Sequence, residues 1–369
     1  MKHLYFLGML ALMLACANEK ELGGGQFASI NIVMDTVIID AGNEIINLRN
    51  GIITSTLSQD KKLLLNFDQQ QAVINKIDLD QMVLVEKIPY EKEGPNGTGQ
   101  YVTSVQTSSS DNLIISTWGE VAIFNSKVEK LEKFDIKEYQ NFNADYLEDK
   151  NILIGLVRSW PQNGLELGVL DYQNNDFKIH NLKEFDKIQD FQVMLRSKNA
   201  VRISGMSAKV QEHQGKYLIS SYMSNTLAQY DPVLDTISYL KYENKLTENS
   251  KTGRYRNVVE TQEDFEKEVS SINQEISFQA PMWDENKGVF YRFSFRQLPT
   301  PADAEIDTPK SYEVFLTILD NDLKVLAESK IDALTKYPGS TFVKDGKIWI
   351  YENLDDELGF VRLKVETSI

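Results

Sequence analysis

A pattern of two short apolar runs recurs six times along the 369-residue chain, and it restricts the fold more than any other feature. Its clearest copy is residues 215–231, GKYLISSYMSNTLAQYD. A turn signal leads into one β-rich run, and a polar break leads into a second run that ends on Asp231. Two such runs joined by polar turn residues predict a β-hairpin. Six hairpins of one kind predict a fold that is built by repetition.

The copies share turn chemistry as well as apolar residues. Asp, Asn or Gly precedes each first run, and these residues tolerate the backbone geometry of tight turns. The first runs begin at Leu63, Leu113, Ile152, Tyr217, Val289 and Ile348. The second runs begin at Ile74, Val121, Leu167, Leu227, Leu316 and Phe360. We therefore predict an all-β fold, a six-bladed β-propeller with each first run as the innermost strand of its blade. Six unrelated hairpins in a β-sandwich remain the alternative.

Two further segments complete this prediction. The β-rich segment Ile30 to Ile39 has no blade of its own, and the last blade, from Lys347 onward, is one strand short. We expect the N-terminal strand to complete the last blade, which removes two exposed sheet edges. The longest insertion, Glu243 to Pro281, lies between blades four and five. Within it Thr261 can cap a short helix, which we interpret as a rim helix or, alternatively, as a lid.

The N-terminus predicts export and a lipid anchor. Residues 1–16 combine Lys2 and His3 with an apolar run that is too short to span a bilayer. The run ends in LMLAC, with the chain's single cysteine at Cys16. We predict a signal peptide (1–16) ending at a lipidated Cys16, a flexible tether (17–29) and the propeller (30–369). An ordinary secretory signal that is cleaved elsewhere is the alternative.

Composition and motifs exclude several functions. A net charge of −15 repels phosphate backbones, so nucleic acid is not an expected partner. The chain has three His and no zinc-type spacing of His or Cys, and no Gly-x-Ser-x-Gly elbow. The glycine-rich segment 94–99 lacks the Gly-Lys-Ser/Thr ending of a phosphate loop and predicts a turn. We predict no metal site and no cofactor, although oxygen ligands alone would suffice for calcium.

The candidate ligand-binding residues are two arginines and two tryptophans. Arg292 is an exception among the six copies, because the residue at the fourth position of the first run is small or uncharged in the other five. A guanidinium there needs either a carboxylate from a neighbouring blade or an anionic ligand in the channel, assisted by Arg296. Trp118 and Trp160 follow the first runs of blades two and three. Aromatic side chains at such places stack on sugars or simply pack.

The chain resembles Bacteroidota lipoproteins of the TolB-like six-bladed propeller class. The resemblance rests on the lipobox-like ending at Cys16, the six repeats and the run 282–293, MWDENKGVFYRF, and is nearest to the domain of unknown function 4221 family. In the lipobox, Met13 and Leu14 replace the usual Leu and small residue. The resemblance implies an outer-membrane protein on the periplasmic or cell-surface face, and it carries over no catalytic residue.

Two functions follow from these observations. The first is a membrane-anchored propeller that binds a small molecule, glycan or protein without catalysis. The second is a hydrolase, lyase or lactonase that acts through channel carboxylates, with calcium as an optional cofactor. Converging carboxylate or amide oxygens in the channel would favour the enzyme, whereas an apolar or basic lining would favour the binding protein.

Overall fold

The computed structural model describes residues 30–108, 110–148, 151–157, 164–197, 201–204, 208–300 and 308–367. Within these ranges the chain consists mainly of β-strands, with one α-helix and one 3₁₀ helix. Cys16, the tether 17–29 and Trp160 lie outside the described residues, so the predictions made for them stay predictions.

Six antiparallel sheets contain most of the described strands, and we number them in chain order. The first strand of the chain, β1 (Ile30–Ile38), belongs to sheet 6. Sheet 1 contains β2 (Ser55–Leu57), β3 (Leu63–Asp68), β4 (Val73–Asp78) and β5 (Val83–Pro89). Sheet 2 contains β6 (Val102–Thr107), β7 (Leu113–Thr117), β8 (Glu120–Phe124) and β9 (Lys130–Asp135). Sheet 3 contains β10 (Phe142–Glu148), β11 (Ile152–Val157), β12 (Glu166–Asp171) and β13 (Asp176–Asn181).

The second half of the chain also holds a smaller sheet, in which β14 (Val193–Arg196) pairs with β15 (Val201–Ser204) and with a strand farther along the chain. Sheet 4 contains β16 (Ala208–His213), β17 (Lys216–Ser221), β18 (Leu227–Asp231) and β19 (Thr236–Leu240). The third strand of the small sheet is β20 (Val258–Val259), which lies parallel to β14. In sheet 5, β21 (Ser277–Phe278) and β22 (Met282–Asp284) both pair with β23 (Val289–Gln297), followed by β24 (Tyr312–Leu319) and β25 (Val325–Lys330). Sheet 6 contains β26 (Thr341–Lys344), β27 (Lys347–Leu354) and β28 (Glu357–Thr367), and then β1.

The predicted hairpins are present, but their position within each sheet differs from the prediction. In the clearest copy, Tyr217 pairs with Tyr230 across β17 and β18, as expected. The first runs are β3, β7, β11, β17, β23 and β27, which are the second strand of each sheet and not the first. The repeat alignment missed the preceding strand because that strand is short or polar, as in the Ser-Thr-Leu of β2. Arg292 therefore does not lie on the strand at the sheet edge.

The N-terminal strand completes sheet 6, as predicted. Nine residue pairs join β1 to β28 in antiparallel register, from Ile30 with Thr367 to Ile38 with Gly359. Asp35 on β1 accepts two hydrogen bonds from Arg362 on β28, at 2.8 and 2.6 Å. Chain ends that are far apart in sequence are thus fixed in a single sheet.

The hydrophobic core is divided into clusters that lie between sheets adjacent in the sequence. One cluster joins Phe67 and Ile74 of sheet 1 to Ile115 and Phe124 of sheet 2, and similar clusters lie between each later pair. A further cluster packs Leu64 and Ile77 of sheet 1 against Trp349 and Phe360 of sheet 6. Each described sheet therefore buries apolar side chains against two neighbours, and sheet 6 contacts sheet 1.

Helix α1 (Gln262–Gln274) lies between sheets 4 and 5 in the sequence. The Thr261 side chain accepts a hydrogen bond from the Asp264 amide at 3.1 Å, so it caps the helix as the sequence predicts. Phe265 and Ile272 are buried against a cluster shared by sheets 3 and 4. The same cluster receives the 3₁₀ helix Lys183–Phe191. Neither helix of the described segments has the length and apolarity needed to cross a membrane.

Candidate functional site

A cavity of about 1120 Å³ lies where the first strands of several sheets meet. Residues from β2, β16, β21, β22 and β26 line it, together with the loop 48–53 that precedes β2. Of these strands, β2 and β16 carry few large apolar residues, whereas β21, β22 and β26 contribute Phe278, Met282, Trp283 and Phe342 to the lining. A volume of this size is at the upper end of the range of small-molecule sites in proteins.

Lys209 is the most distinctive group in the cavity wall. It lies on β16, where side chains alternate between the two faces, so that Val210 is buried in the core while Lys209 and Gln211 line the cavity. Within the described residues, the Lys209 ammonium makes no hydrogen bond or ion pair. The side chain keeps accessible surface because it faces the cavity. The protein around the cavity partly desolvates the ammonium, which lowers the pKa of Lys209, although the nearby Asp145 charge acts in the opposite direction.

The cavity lining also includes a buried polar atom without a partner. Ser221 is 2% exposed, lines the cavity, and its Oγ has no hydrogen-bond partner among the described residues. Ser221 pairs with Ala208 in the ladder between β16 and β17, whereas Lys209 pairs with Ser220, so the side chains of Ser221 and Lys209 lie on opposite faces of the sheet. Buried hydroxyl groups in folded proteins normally have a partner, and an unpaired one calls for a water, ion or ligand.

The charges of the cavity wall oppose the charge of the whole chain. Among the described residues that line it, Arg49, Lys61 and Lys209 are cationic and Glu212 is the single carboxylate. Lys61 is paired with Glu285 at 2.9 Å, and Glu212 accepts a hydrogen bond from the Gly215 amide at 2.7 Å. Arg49 and Lys209 are left without an ion pair in the part of the chain that is described. The described lining is therefore more basic than the chain as a whole, whose net charge is −15.

Gln279 connects the cavity wall to the buried Arg292. The Gln279 amide group donates to the carbonyls of Pro338 and Gly339, which precede β26, and its side-chain oxygen accepts from Thr341 at 3.4 Å. Its backbone carbonyl accepts from Arg292 Nε at 2.7 Å. Gln279 therefore joins sheets 5 and 6 at the cavity surface.

Arg292 itself lies in the interior, with 1% of its surface exposed. Besides Gln279, the guanidinium donates to the carbonyls of Asn225 at 2.5 Å and Ser224 at 3.2 Å, and to the hydroxyl of Tyr242 at 3.0 Å. These acceptors belong to the segment around sheet 4, so Arg292 links two sheets as one of the two sequence hypotheses expected. Its partners, however, are carbonyl and hydroxyl oxygens where that hypothesis expected a carboxylate.

The other sequence-predicted residues are not brought together. Arg296 is partly exposed and pairs with Glu313 at 2.8 Å and Glu248 at 3.5 Å. Trp118 follows β7, is 68% exposed, and does not line the cavity. Trp160 lies outside the described residues. Sequence reasoning missed Lys209 and Ser221, because neither belongs to a motif and Ser221 is one of many serines in β-rich runs.

The polar lining bears on the enzyme alternative, which converging carboxylate or amide oxygens would favour. Among the described lining residues Glu212 is the single carboxylate, and side-chain amides come from Asn50, Gln211, Gln279 and Asn353. Within the same described ranges, no group of three His, Cys, Asp or Glu side chains is arranged to hold a metal ion.

Comparisons with known proteins locate the chain in a family. A crystal structure of a member of the DUF4221 family from Bacteroides vulgatus superposes with a TM-score of 0.67 and 16% identity, covering 92% of this chain and 99% of that chain. This similarity shows a shared fold.

Two more distant structures also match. An auxiliary nutrient binding protein from Bacteroides thetaiotaomicron has a TM-score of 0.45 and 11% identity, with 91% of this chain and 77% of that chain covered. The β-propeller domain of the Trilobed protease from Pyrococcus furiosus has a TM-score of 0.38 and 12% identity, covering 93% and 95%. Similarity at this level supports no inference about function.

No curated protein matches the sequence. The profile of one family, described as Domain of unknown function (DUF4221), matches residues 29–330. Because this match covers most of the chain, the protein belongs to the DUF4221 family.

Proposed function

We propose that this chain is a six-bladed β-propeller, held at the outer membrane through a lipidated Cys16, that binds a small anionic molecule in its central cavity without transforming it. The observation that carries the binding proposal is that Arg49 and Lys209 line the same cavity and, among the described residues, neither makes an ion pair.

Sheet order and core packing support the ring. Six sheets follow one another in the sequence, five clusters of the core lie between consecutive sheets, and a further cluster joins sheet 6 to sheet 1. In such a ring the first strand of every sheet faces the axis. The cavity is lined by first strands from sheets 1, 4, 5 and 6, which is the position of a propeller channel.

Charge and hydrogen bonding support an anionic ligand. The Lys209 ammonium makes no ion pair within the described residues, so it gains a charge-assisted hydrogen bond when a carboxylate or phosphate enters the cavity. The basic lining also concentrates anions from solution.

A thermal-shift screen tests this proposal, because a ligand that binds the native state raises the melting temperature. Small carboxylates and phosphates are compared with neutral analogues at constant ionic strength. The affinity of each stabilising acid is then measured for Lys209→Met and for the control variant Lys127→Met. The control replaces an exposed turn lysine that makes no ion pair with a described residue. We expect Lys209→Met to weaken binding by at least about tenfold, since hydrogen bonds to charged groups contribute roughly 1.5–3 kcal/mol. Equal binding by both variants would contradict the proposal.

The anchor is tested separately. Two or more acyl chains hold a protein stably at a membrane. Cys16→Ser should move the protein from the membrane fraction to the soluble fraction and remove the mass of the lipid. Unchanged fractionation together with an unchanged mass would refute lipidation of Cys16.

A further inference from the structure

A second cavity of about 280 Å³ adjoins the large one. Its wall is mainly aromatic and apolar. The aromatic side chains come from the 3₁₀ helix, from the residue after β17, from sheet 5 and from the segment that follows sheet 5. The aromatic members are Phe191, Tyr222, Phe295, Tyr312 and Tyr337. Tyr222 and Tyr337 line both cavities, so the two spaces share a wall.

The aromatic side chains of this wall are arranged edge to face. The Phe295 ring lies 4.9 Å from the Tyr337 ring at 71° and 6.1 Å from the Tyr222 ring at 82°. At the shared wall the hydroxyls of Tyr222 and Tyr337 are 2.8 Å apart. Rings in such a cluster favour a further ring in the same geometry, and the hydroxyl pair provides a polar boundary toward the large cavity.

The base of the second cavity carries a buried lysine. Lys251 is 7% exposed, and its ammonium donates to the carbonyls of Ile272 and Glu275 at 2.8 and 3.2 Å and to Ser277 Oγ at 2.8 Å. These three acceptors use all N–H groups of the protonated side chain, and the Glu275 carboxylate acts on it only through its charge. The charge therefore disfavours a cationic group in this cavity and is compatible with a neutral ring or an anionic one.

The size of the space limits its occupant. An apolar cavity of roughly 150 Å³ holds a benzene molecule. A cavity of about 280 Å³ thus has room for a one- or two-ring planar group, and not for an extended chain of sugars or amino acids.

We infer that the second cavity is a subsite for a planar one- or two-ring group, and that the ligand is an aromatic acid whose carboxylate lies in the large cavity. This inference rests on the proposed function and deepens it. The two subsites adjoin, because Tyr222 and Tyr337 line both cavities. The ring leaves the hydrogen bonds of Lys251 in place, while the carboxylate pairs with Lys209, which makes no ion pair with a described residue.

Two matched probes test the inference by isothermal titration. Naphthalene-2-carboxylate carries both groups, and 2-naphthalenemethanol carries the ring without the charge. Asn273, partly buried on the last turn of α1, lines the second cavity and not the large one. Asn273→Trp should fill this cavity, and Asn273→Ala is the control that leaves it open. If Asn273→Trp has a lower melting temperature than the control, Asn273→Leu is used in its place, because leucine fills the cavity with a smaller side chain.

We expect Asn273→Trp to weaken both probes by more than about tenfold, because burying an aromatic ring is worth more than the 1.4 kcal/mol that this factor represents. Lys209→Met should weaken the carboxylate alone. If the plugged variants bind both probes as the control does, the ring subsite is wrong and the proposed function stands. If Lys209→Met binds the carboxylate normally, the anionic site is wrong, and the neutral probe with the plugged variants still decides the ring subsite.

Discussion

Replacing Arg292 by methionine tests the architecture of the interior more sharply than any other substitution. The guanidinium is buried and donates to three backbone carbonyls and one hydroxyl, which belong to two different sheets. It also lies over the ring of Phe278, with the guanidinium carbon 5.3 Å from the ring centre. Methionine fills a similar length of side chain but donates no hydrogen bond, so the substitution removes the link while keeping apolar volume.

The expected magnitude follows from what remains after the substitution. The carbonyls of Ser224, Asn225 and Gln279 each lose a donor in a buried place, and an unsatisfied buried acceptor costs about 1–3 kcal/mol. Part of this loss is offset, because a buried guanidinium without a carboxylate partner no longer has to be desolvated. We therefore expect Arg292→Met to lower the free energy of unfolding by about 3–5 kcal/mol.

The assay is urea unfolding followed by tryptophan fluorescence and by circular dichroism, with Arg296→Met as the matched control. Arg296 lies four positions later on the same strand, is partly exposed, and pairs with Glu313 and Glu248 near the surface. Such pairs contribute roughly 0–1 kcal/mol, so the control should lose little stability. If Arg292→Met loses no more than Arg296→Met, the buried hydrogen-bond network does not hold the two sheets together and the reasoning is wrong.

Three further predictions concern other parts of the fold. Burial lowers the pKa of Lys251 from 10.5 to about 8. Between these two pH values the unfolded state binds more protons than the folded state, so the free energy of unfolding rises with pH. Lys251→Met should flatten this rise, which is measured as the difference between the urea midpoints at about pH 7.5 and about pH 9.5. An equal slope in the variant would refute the assignment. Deleting residues 30–38 removes β1 and exposes the β28 edge, so the protein should aggregate on size-exclusion chromatography; a soluble protein with a cooperative melt would contradict this. Thr261→Ala should cost about 1 kcal/mol in urea unfolding and Thr261→Ser almost nothing, because serine retains the cap; equal losses would show that the hydroxyl does not stabilise α1.

The inner strands of each sheet, which have a hydrogen-bonded neighbour on both edges, could be predicted from the sequence. Their apolar runs are bounded by turn residues, as in β17 and β18, and β1 was recognised as the missing strand of sheet 6 by the same pattern. The first strands of the sheets could not be predicted in this way. β2 and β16 face the cavity, so they contain serine, threonine, lysine and glutamine, and a search for apolar periodicity passes over them.

The candidate site was predicted only in outline. Arg292 was singled out correctly as a residue that needs partners, but its partners are backbone carbonyls, which no sequence pattern identifies. Lys209 resembles many surface lysines in the sequence, and its significance depends on its position in the cavity lining, where it makes no ion pair with a described residue. Cavities formed between strands of different sheets depend on the whole arrangement, so the residues that line them share no local signal.

A crystal structure of the protein with naphthalene-2-carboxylate, or with the acid that most stabilises it in the thermal-shift screen, tests the central claim most directly. We expect a six-bladed ring with the ligand in the large cavity and its acidic group within hydrogen-bond distance of Lys209 Nζ. A ligand bound only on the outer surface, with no anion at Lys209, would refute the proposed binding site.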